Sequence, residues 1–369
     1  MDENNLPRRS VKESVRKEIK GFFKIKQTDR VWHIPLLAAL CIGIPLLAGL
    51  YFGNLQAGLT ASLSGIVILY IPFASTIFDR MATMLICSFG LMLAYSVGAI
   101  FSFQPLVAAV VFGLLSISVH WAVLYFRVKP PGSFFFIMIA SIASSAPFDT
   151  RAIPEKIGLI AMGTMLACIL AFGYSLLVRK RNPVTKRTEL SERLFKERSA
   201  DFVEAAIVGL FMFCSMLTGH LLKLQNPYWI PISCIAVMQG ATLYHIRERV
   251  FHRILGTFIG LGVAWLILSV NRTPLGICLT IIALQFIIEI LVVRHYALAV
   301  IFITPMTLLL SEAAKPLAQE PGTLIPIRFI DIALGSLLGA IGGWVIHHEK
   351  IRYHANRRLR KARIAIKRR

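Results

Sequence analysis

Apolar residues in this chain come in long blocks, not in a two-residue or 3.6-residue alternation. Twelve blocks can be read, at residues 32–52, 57–78, 81–101, 105–126, 132–146 and 157–177, then 205–224, 227–244, 250–270, 274–293, 296–310 and 329–346. An α-helix needs about 20 apolar residues to cross the hydrocarbon core of a bilayer. The pattern therefore predicts twelve membrane helices, six on each side of a polar stretch near residues 179–201, joined by short connections.

Composition removes the soluble alternatives. Of 369 residues, 56% are hydrophobic and 16% charged, against about 25% charged in an ordinary soluble domain. Too little polar surface is left to cover a water-soluble globule. A net charge of +21 on a soluble protein would suggest nucleic acid, but the distribution of the charges decides otherwise. With the N-terminus on the cytoplasmic side, only Arg151, Lys156, Lys223, Arg272, Lys315 and Arg328 of the 40 Lys and Arg fall outside, and 34 fall inside. That is the positive-inside distribution. It makes the basic residues topology determinants, leaves no nucleic-acid partner expected, and puts both termini in the cytoplasm.

The first 30 residues lack the apolar core of a cleavable signal. Ser10 and Glu13 read as a capping box, followed by Val11, Val15, Ile19, Phe22 and Phe23 at helical spacing among basic residues. This predicts an amphipathic helix on the membrane surface, drawn to anionic lipid, and the basic run 357–369 can act likewise. The six cysteines (Cys41, Cys87, Cys168, Cys214, Cys234, Cys278) all lie in apolar blocks and read as packing residues. No metal spacing and no cofactor are expected.

The halves resemble one another. Ile153-Pro154, Ile160-Ala161 and Gly163 line up with Ile325-Pro326, Ile332-Ala333 and Gly335 at an offset of 172, and Asp79-Arg80 with His252-Arg253 at 173. Six spans per half bring both halves into the membrane the same way up, so parallel repeats are predicted. The second and fifth spans of each half are short or interrupted, by Pro72 and Pro231, by a length of only 132–146, and by Pro305. Short or broken spans at matching places are a pointer to a site inside the membrane, and kinks made only for packing are the competing reading.

Within the second half, Pro227-Tyr228-Trp229-Ile230-Pro231, Val237-Met238-Gln239, Arg249, and Arg253-Ile254-Leu255-Gly256-Thr257 with Gly260 resemble the signature block of the FUSC superfamily, which holds the fusaric acid resistance and aromatic acid exporter proteins. The FUSC-like block covers residues 227–270. The resemblance implies a bacterial inner-membrane efflux protein for aromatic carboxylates or related organic acids, and the wider group's anion channels keep a passive conduit open. The better-known members carry large cytoplasmic domains between or after the bundles, whereas in this chain the linker spans 179–202 and the basic tail 348–369. Its first half also carries Thr83 and Cys87 where the second has Gly256 and Gly260.

Charges inside a bilayer are costly and are usually paired or functional. Arg328 and Asp331 share one helix face at i, i+3. They read first as a mutually neutralising pair, and alternatively as a substrate-carboxylate ligand with a proton carrier. Glu289 is a candidate for proton coupling, or a carboxylate reaching the interface. Arg80 and Arg253, at equivalent places just before a span, read as positive-inside anchors or as a paired basic entrance for anions, since guanidinium grips a carboxylate at two points. Tyr228 and Trp229 read as interfacial belt aromatics, with stacking on an aromatic substrate as the alternative. His120 reads as a hydrogen-bonded core histidine. Gly335, Gly339 and Gly343 form a small-residue packing stripe.

Nothing resembles a nucleotide-binding loop or a nucleophile–base pair, so no enzyme is expected. The expected protein is an all-α polytopic membrane protein of about twelve helices in two parallel six-helix repeats. A basic segment at 1–30 precedes the first repeat at 31–178, a linker at 179–202 precedes the second at 203–347, and a basic tail runs over 348–369. The expected activity is proton-coupled efflux of small organic anions. Substrate contacts fall to Arg80, Arg253, Arg328, Tyr228 and Trp229, and proton coupling to Glu289 and Asp331. A gated anion channel and a non-transporting envelope scaffold are the alternatives, and a homo-oligomer is allowed.

Overall fold

The computed structural model describes residues 31–72, 76–178, 198–270, 273–312 and 321–348, without side chains at 198–201, 311–312 and 321–325. The predicted N-terminal amphipathic helix, most of the linker and the basic tail lie outside the described residues. Among those residues the secondary structure is helical, with no strand.

The first half consists of α1 (His33–Tyr51), α2 (Leu55–Ser64) with a 3-10 continuation over Gly65–Tyr70, α3 (Ile77–Ile100), α4 (Pro105–Tyr125), α5 (Phe134–Ser144) and α6 (Ala152–Val178). The second consists of α7 (Arg198–Leu221), α8 (Trp229–Met238), α9 (Leu243–Val270), α10 (Pro274–Leu291), α11 (Tyr296–Glu312) and α12 (Pro321–His347). Eight of these, α1, α3, α4, α6, α7, α9, α10 and α12, are long and apolar enough to cross a membrane. The other four, α2, α5, α8 and α11, are shorter apolar helices. At 1.5 Å per residue, the ten residues of α8 reach about 15 Å, half of a hydrocarbon core of about 30 Å.

Local chemistry explains the boundaries. Asn54 caps α2 by accepting from the Ala57 N–H at 3.0 Å, and Thr76 caps α3 by accepting from Asp79 N–H at 3.1 Å. Pro105 and Pro274 occupy first-turn positions, where a missing N–H costs nothing. The 3-10 turn stops at Ile71, which is extended, because a residue before proline is pushed out of the helical region.

Two sequence expectations shift. Pro305 does not interrupt α11, which continues to Glu312. The carbonyl that Pro305 leaves without an N–H partner is that of Ile301. It lies against α9 at Gly260, where an added Cβ would come within 2.7 Å of that oxygen. Pro45 inside α1 repeats the device, its freed Cys41 carbonyl facing Gly65. A glycine of a neighbouring helix approaches each freed carbonyl closely, and both helices continue through their prolines. The other shift is at Arg80 and Arg253, which were expected just before their spans. They lie inside helices, Arg80 in the first turn of α3 and Arg253 in the third turn of α9. Thr242 starts α9 early by accepting from the His245 N–H at 3.3 Å, and no breaker interrupts the polar stretch up to Val250.

Helix α6 packs on α2 and α3, and α3 on α5; α12 packs on α8 and α9, and α9 on α11. Between the halves, α4 lies along α7 and α1 along α10. Gly163 of α6 meets the Ala61 carbonyl and Ser64 of α2, and Gly335 of α12 meets the Ile230 carbonyl and Ser233 of α8. Gly339 and Gly343 continue that close approach against Cys234, Val237 and Ile246. Every residue of α8 is buried, while Leu85, Ile86 and Phe89 on α3 or Met162, Met165 and Ile169 on α6 face outward. Apolar side chains on the outside and a buried apolar helix within are the arrangement expected in lipid.

Candidate functional site

The buried helix α8 carries the site. A cavity of about 1780 Å³ opens beside it, lined by residues of both halves. Arg80, Tyr228, Trp229, Arg253, Glu289 and Arg328 all contribute to its wall. Asp331 is not on the wall, but its neighbours Arg328 and Ile332 are.

The two arginines of the second half are held along one face of α8. Arg253, 7% exposed, donates from Nη2 to Ser233 Oγ at 3.1 Å and from Nη1 to the Tyr296 hydroxyl at 3.2 Å. Arg328, also 7% exposed, donates from Nη2 to Thr307 Oγ1 at 2.8 Å. It stacks on Trp229 with Cζ 3.0 Å from the ring centroid. Trp229 and Ser233 are four residues apart in α8, so their side chains stand one turn apart on the same face. The Nε atoms of both arginines are buried and have no hydrogen-bond partner among the described residues.

The surroundings are more basic than acidic. Arg249 also lines the cavity. It donates to the Ala236 carbonyl at 2.8 Å and lies 5.2 Å over the Tyr296 ring, so Tyr296 is shared by two guanidiniums. Glu289, 4% exposed, accepts from Gln285 Nε2 at 3.1 Å, one turn back along α10. Arg80, 6% exposed, is the first half's charged contribution.

Arg328 and Asp331 lie within electrostatic reach of one another, but not as a directly bonded pair: among the described residues neither oxygen of Asp331 receives a hydrogen bond. The guanidinium of Arg328 makes its direct contacts with Trp229 and Thr307 instead. Trp229 is not a lipid-facing belt residue: it is 7% exposed beneath the Arg328 guanidinium. Tyr228 ends the loop before α8, its carbonyl accepting from Ser141 Oγ at 3.1 Å, which ties α5 to that loop. His120 lies apart from this cavity, with Nδ1 2.7 Å from Ser133 Oγ and Nε2 3.7 Å from Glu204 Oε1.

Sequence reading missed Ser233, Thr307, Tyr296 and Gln285. Their hydroxyl and amide groups sit in apolar blocks, where Ser and Thr usually bond their own helix backbone. Nothing in their spacing sets them apart. Arg249 had a signal, since it lies inside the block that carries the family resemblance.

Residues 213–342 match the family model described as fusaric acid resistance protein-like. The resemblance carried by Pro227–Gly260 thus holds over a longer stretch than the motif, from within α7 into α12. This fusaric acid resistance protein-like segment contains Tyr228, Trp229, Arg253, Glu289, Arg328 and Asp331, leaving only Arg80 of the expected site outside it. A curated relative, "Uncharacterized membrane protein YvaC" of Bacillus subtilis (strain 168), is 34% identical over 148 residues, or 40% of this chain and 23% of the relative. The match therefore spans less than a quarter of that relative's length. No solved structure gives a match.

Proposed function

We propose that this membrane protein moves small organic anions, aromatic carboxylates among them, out of the cell through the cavity beside α8. The observation that carries the reading is the pair of buried arginines, Arg253 and Arg328, one turn apart along α8 on the wall of that cavity. A buried charge is costly unless it is matched, and an anion entering the cavity supplies the match. The family description of residues 213–342 supports the same reading. Arg80, Tyr228 and Trp229 complete the substrate wall. Glu289 and Asp331 are the groups that exchange protons, a role supported by their burial at 4% and 1% exposure.

The architecture that goes with this function is twelve membrane helices in two parallel six-helix repeats, at 31–178 and 203–347, in the bacterial inner membrane with cytoplasmic ends. In support, the short helices fall second and fifth in each half. The packing of α6 on α2 and α3 is also matched by that of α12 on α8 and α9. Exchange of the halves turns the α4·α7 contact into α10·α1, and both occur. A cavity walled by both halves makes one pathway per chain.

Flux of a labelled aromatic carboxylate in proteoliposomes, with and without an imposed proton gradient, tests this. Gradient-driven accumulation that disappears in Arg328→Gln is expected. Equilibration without accumulation replaces the carrier by a gated channel. No flux above empty liposomes across a panel of organic anions sinks transport altogether.

A further inference from the structure

We infer that the preferred substrate carries a dianionic head of the phosphate monoester class on an extended apolar body, with the head held between Arg253 and Arg328. This inference rests on the transport reading and narrows it. Two features of the cavity carry it, one electrostatic and one steric.

The electrostatic feature is the number of positive charges that converge. Ser233 anchors Arg253 and Trp229 anchors Arg328, about 6 Å apart along the α8 axis at 1.5 Å per residue. Each guanidinium lies within the electrostatic reach of the other. Like charges brought together out of water repel. Asp331 attracts Arg328 from nearby but is not hydrogen-bonded to it, and among the described residues the hydrogen-bond partners of both guanidiniums are hydroxyls. Each keeps a buried Nε–H with no partner. A monocarboxylate offers one charge and two coplanar oxygens, enough to satisfy one guanidinium in two-point fashion. A phosphate monoester offers nearly two charges and three acceptor oxygens in a tetrahedral array. It can meet both guanidiniums at once, using the donors that the protein leaves open.

The steric feature is the size and the two-sided wall. At about 1780 Å³ the cavity exceeds the 300–1,000 Å³ usual for drug-sized ligands, so a single-ring carboxylate fills a small part of it. The second half supplies four arginines, Arg249, Arg253, Arg294 and Arg328, among apolar side chains and two glutamates, while the first half, Arg80 apart, lines it largely with apolar side chains such as Leu63, Phe134 and Met138. An amphiphilic anion can use both sides, whereas a small hydrophilic one leaves the apolar wall in contact with water.

Asp331 supplies an internal check. It sits three residues from Arg328, buried and without a hydrogen bond, so any negative charge there opposes a second negative charge on the substrate. Asp331→Asn therefore favours a dianion more than a monoanion.

The test is calorimetric binding to the full chain in lipid nanodiscs at pH 8, with octyl phosphate against octanoate, phenyl phosphate against benzoate, and inorganic phosphate alone. Each phosphate monoester is expected to bind at least tenfold more tightly than its matched carboxylate. That ratio is expected to fall to threefold or less in Arg253→Gln and Arg328→Gln, and to rise in Asp331→Asn. Arg328→Lys keeps the charge and serves where the glutamine variant does not fold; its ratio is expected to be intermediate. Equal binding of carboxylate and phosphate, with both lost in Arg328→Gln, would overturn the dianion assignment and leave anion transport standing. Inorganic phosphate binding as tightly as octyl phosphate would remove the apolar body. No binding and no flux with any probe would remove the transport reading as well.

Discussion

The two halves of the molecule use one packing scheme for different ends. At the offset of 172 that aligns Gly163 with Gly335, Arg328 corresponds to Lys156 and Asp331 to Leu159. Ser233 has its counterpart in Ser64, since both meet the aligned glycine of the last helix in their half. Ser64 spends its hydroxyl on packing, donating to the Ala61 and Ile160 carbonyls at 2.9 and 2.8 Å. Ser233 holds Arg253. At the offset of 173 that aligns Arg80 with Arg253, the buried Thr257 is replaced by Met84, which is 0% exposed. The scaffold contacts recur in both halves, whereas the polar lining is concentrated in the second. Close glycine contacts serve the packing of both halves, while the proposed anion site draws on the polar lining of the second.

The sharpest break between the halves is expected from charge removal. Arg253→Gln or Arg328→Gln should lower anion flux in proteoliposomes by 100-fold or more, because losing a charge-assisted bond to a buried anion removes about 3 kcal/mol or more. Lys156→Gln, at the matching place, should change flux by less than twofold. Equal losses at Lys156 and Arg328 would mean that the first half carries a working copy of the site.

The glycines test the opposite side of the comparison, where the halves should agree. Gly163→Val and Gly335→Val each force bulk into a neighbouring backbone carbonyl, and overpacking of this kind costs about 1–3 kcal/mol or more. Both should reduce the yield of folded protein and its thermal stability in detergent to a similar extent. A large loss at one position alone would argue against a shared packing scheme.

How much of this was legible beforehand follows from the same contrast. Apolar blocks marked every helix among the described residues, because hydrophobic length is the main constraint on a membrane helix; Pro305 was misleading as an interruption, since α11 runs through it. The glycine stripe on α12 was legible because small residues at every fourth position have few other uses. The site was half legible. Arg80, Arg253, Arg328, Glu289 and Asp331 stood out as charges in apolar surroundings, and the cavity gathers all but Asp331 on its wall. Their partners were hidden: no spacing rule joins Arg328 to Thr307, twenty-one residues away on another helix, or separates Ser233 from the many serines that bond only their own backbone. An i, i+3 spacing brings Arg328 and Asp331 within electrostatic reach, but it cannot register that Trp229 and Thr307 take the direct contacts of the guanidinium.

The smallest effect separates the two serines. Ser233→Ala removes the hydroxyl that accepts from Arg253 Nη2, leaving its bond to Tyr296 in place. A hydrogen bond to a charged group contributes about 1.5–3 kcal/mol, but the freed guanidinium can turn toward the cavity and recover part of that. Flux should therefore drop about threefold to tenfold, with thermal stability nearly unchanged. Ser64→Ala should do the reverse: a lost bond between α2 and α6 lowers stability by about 1 kcal/mol, while flux per folded molecule stays at the parent value. Measuring both variants for both quantities makes the comparison internal, since each serves as the other's control. If Ser64→Ala also slows flux, α2 positions the site through packing, and the division of labour between the halves is less complete than their polar linings indicate.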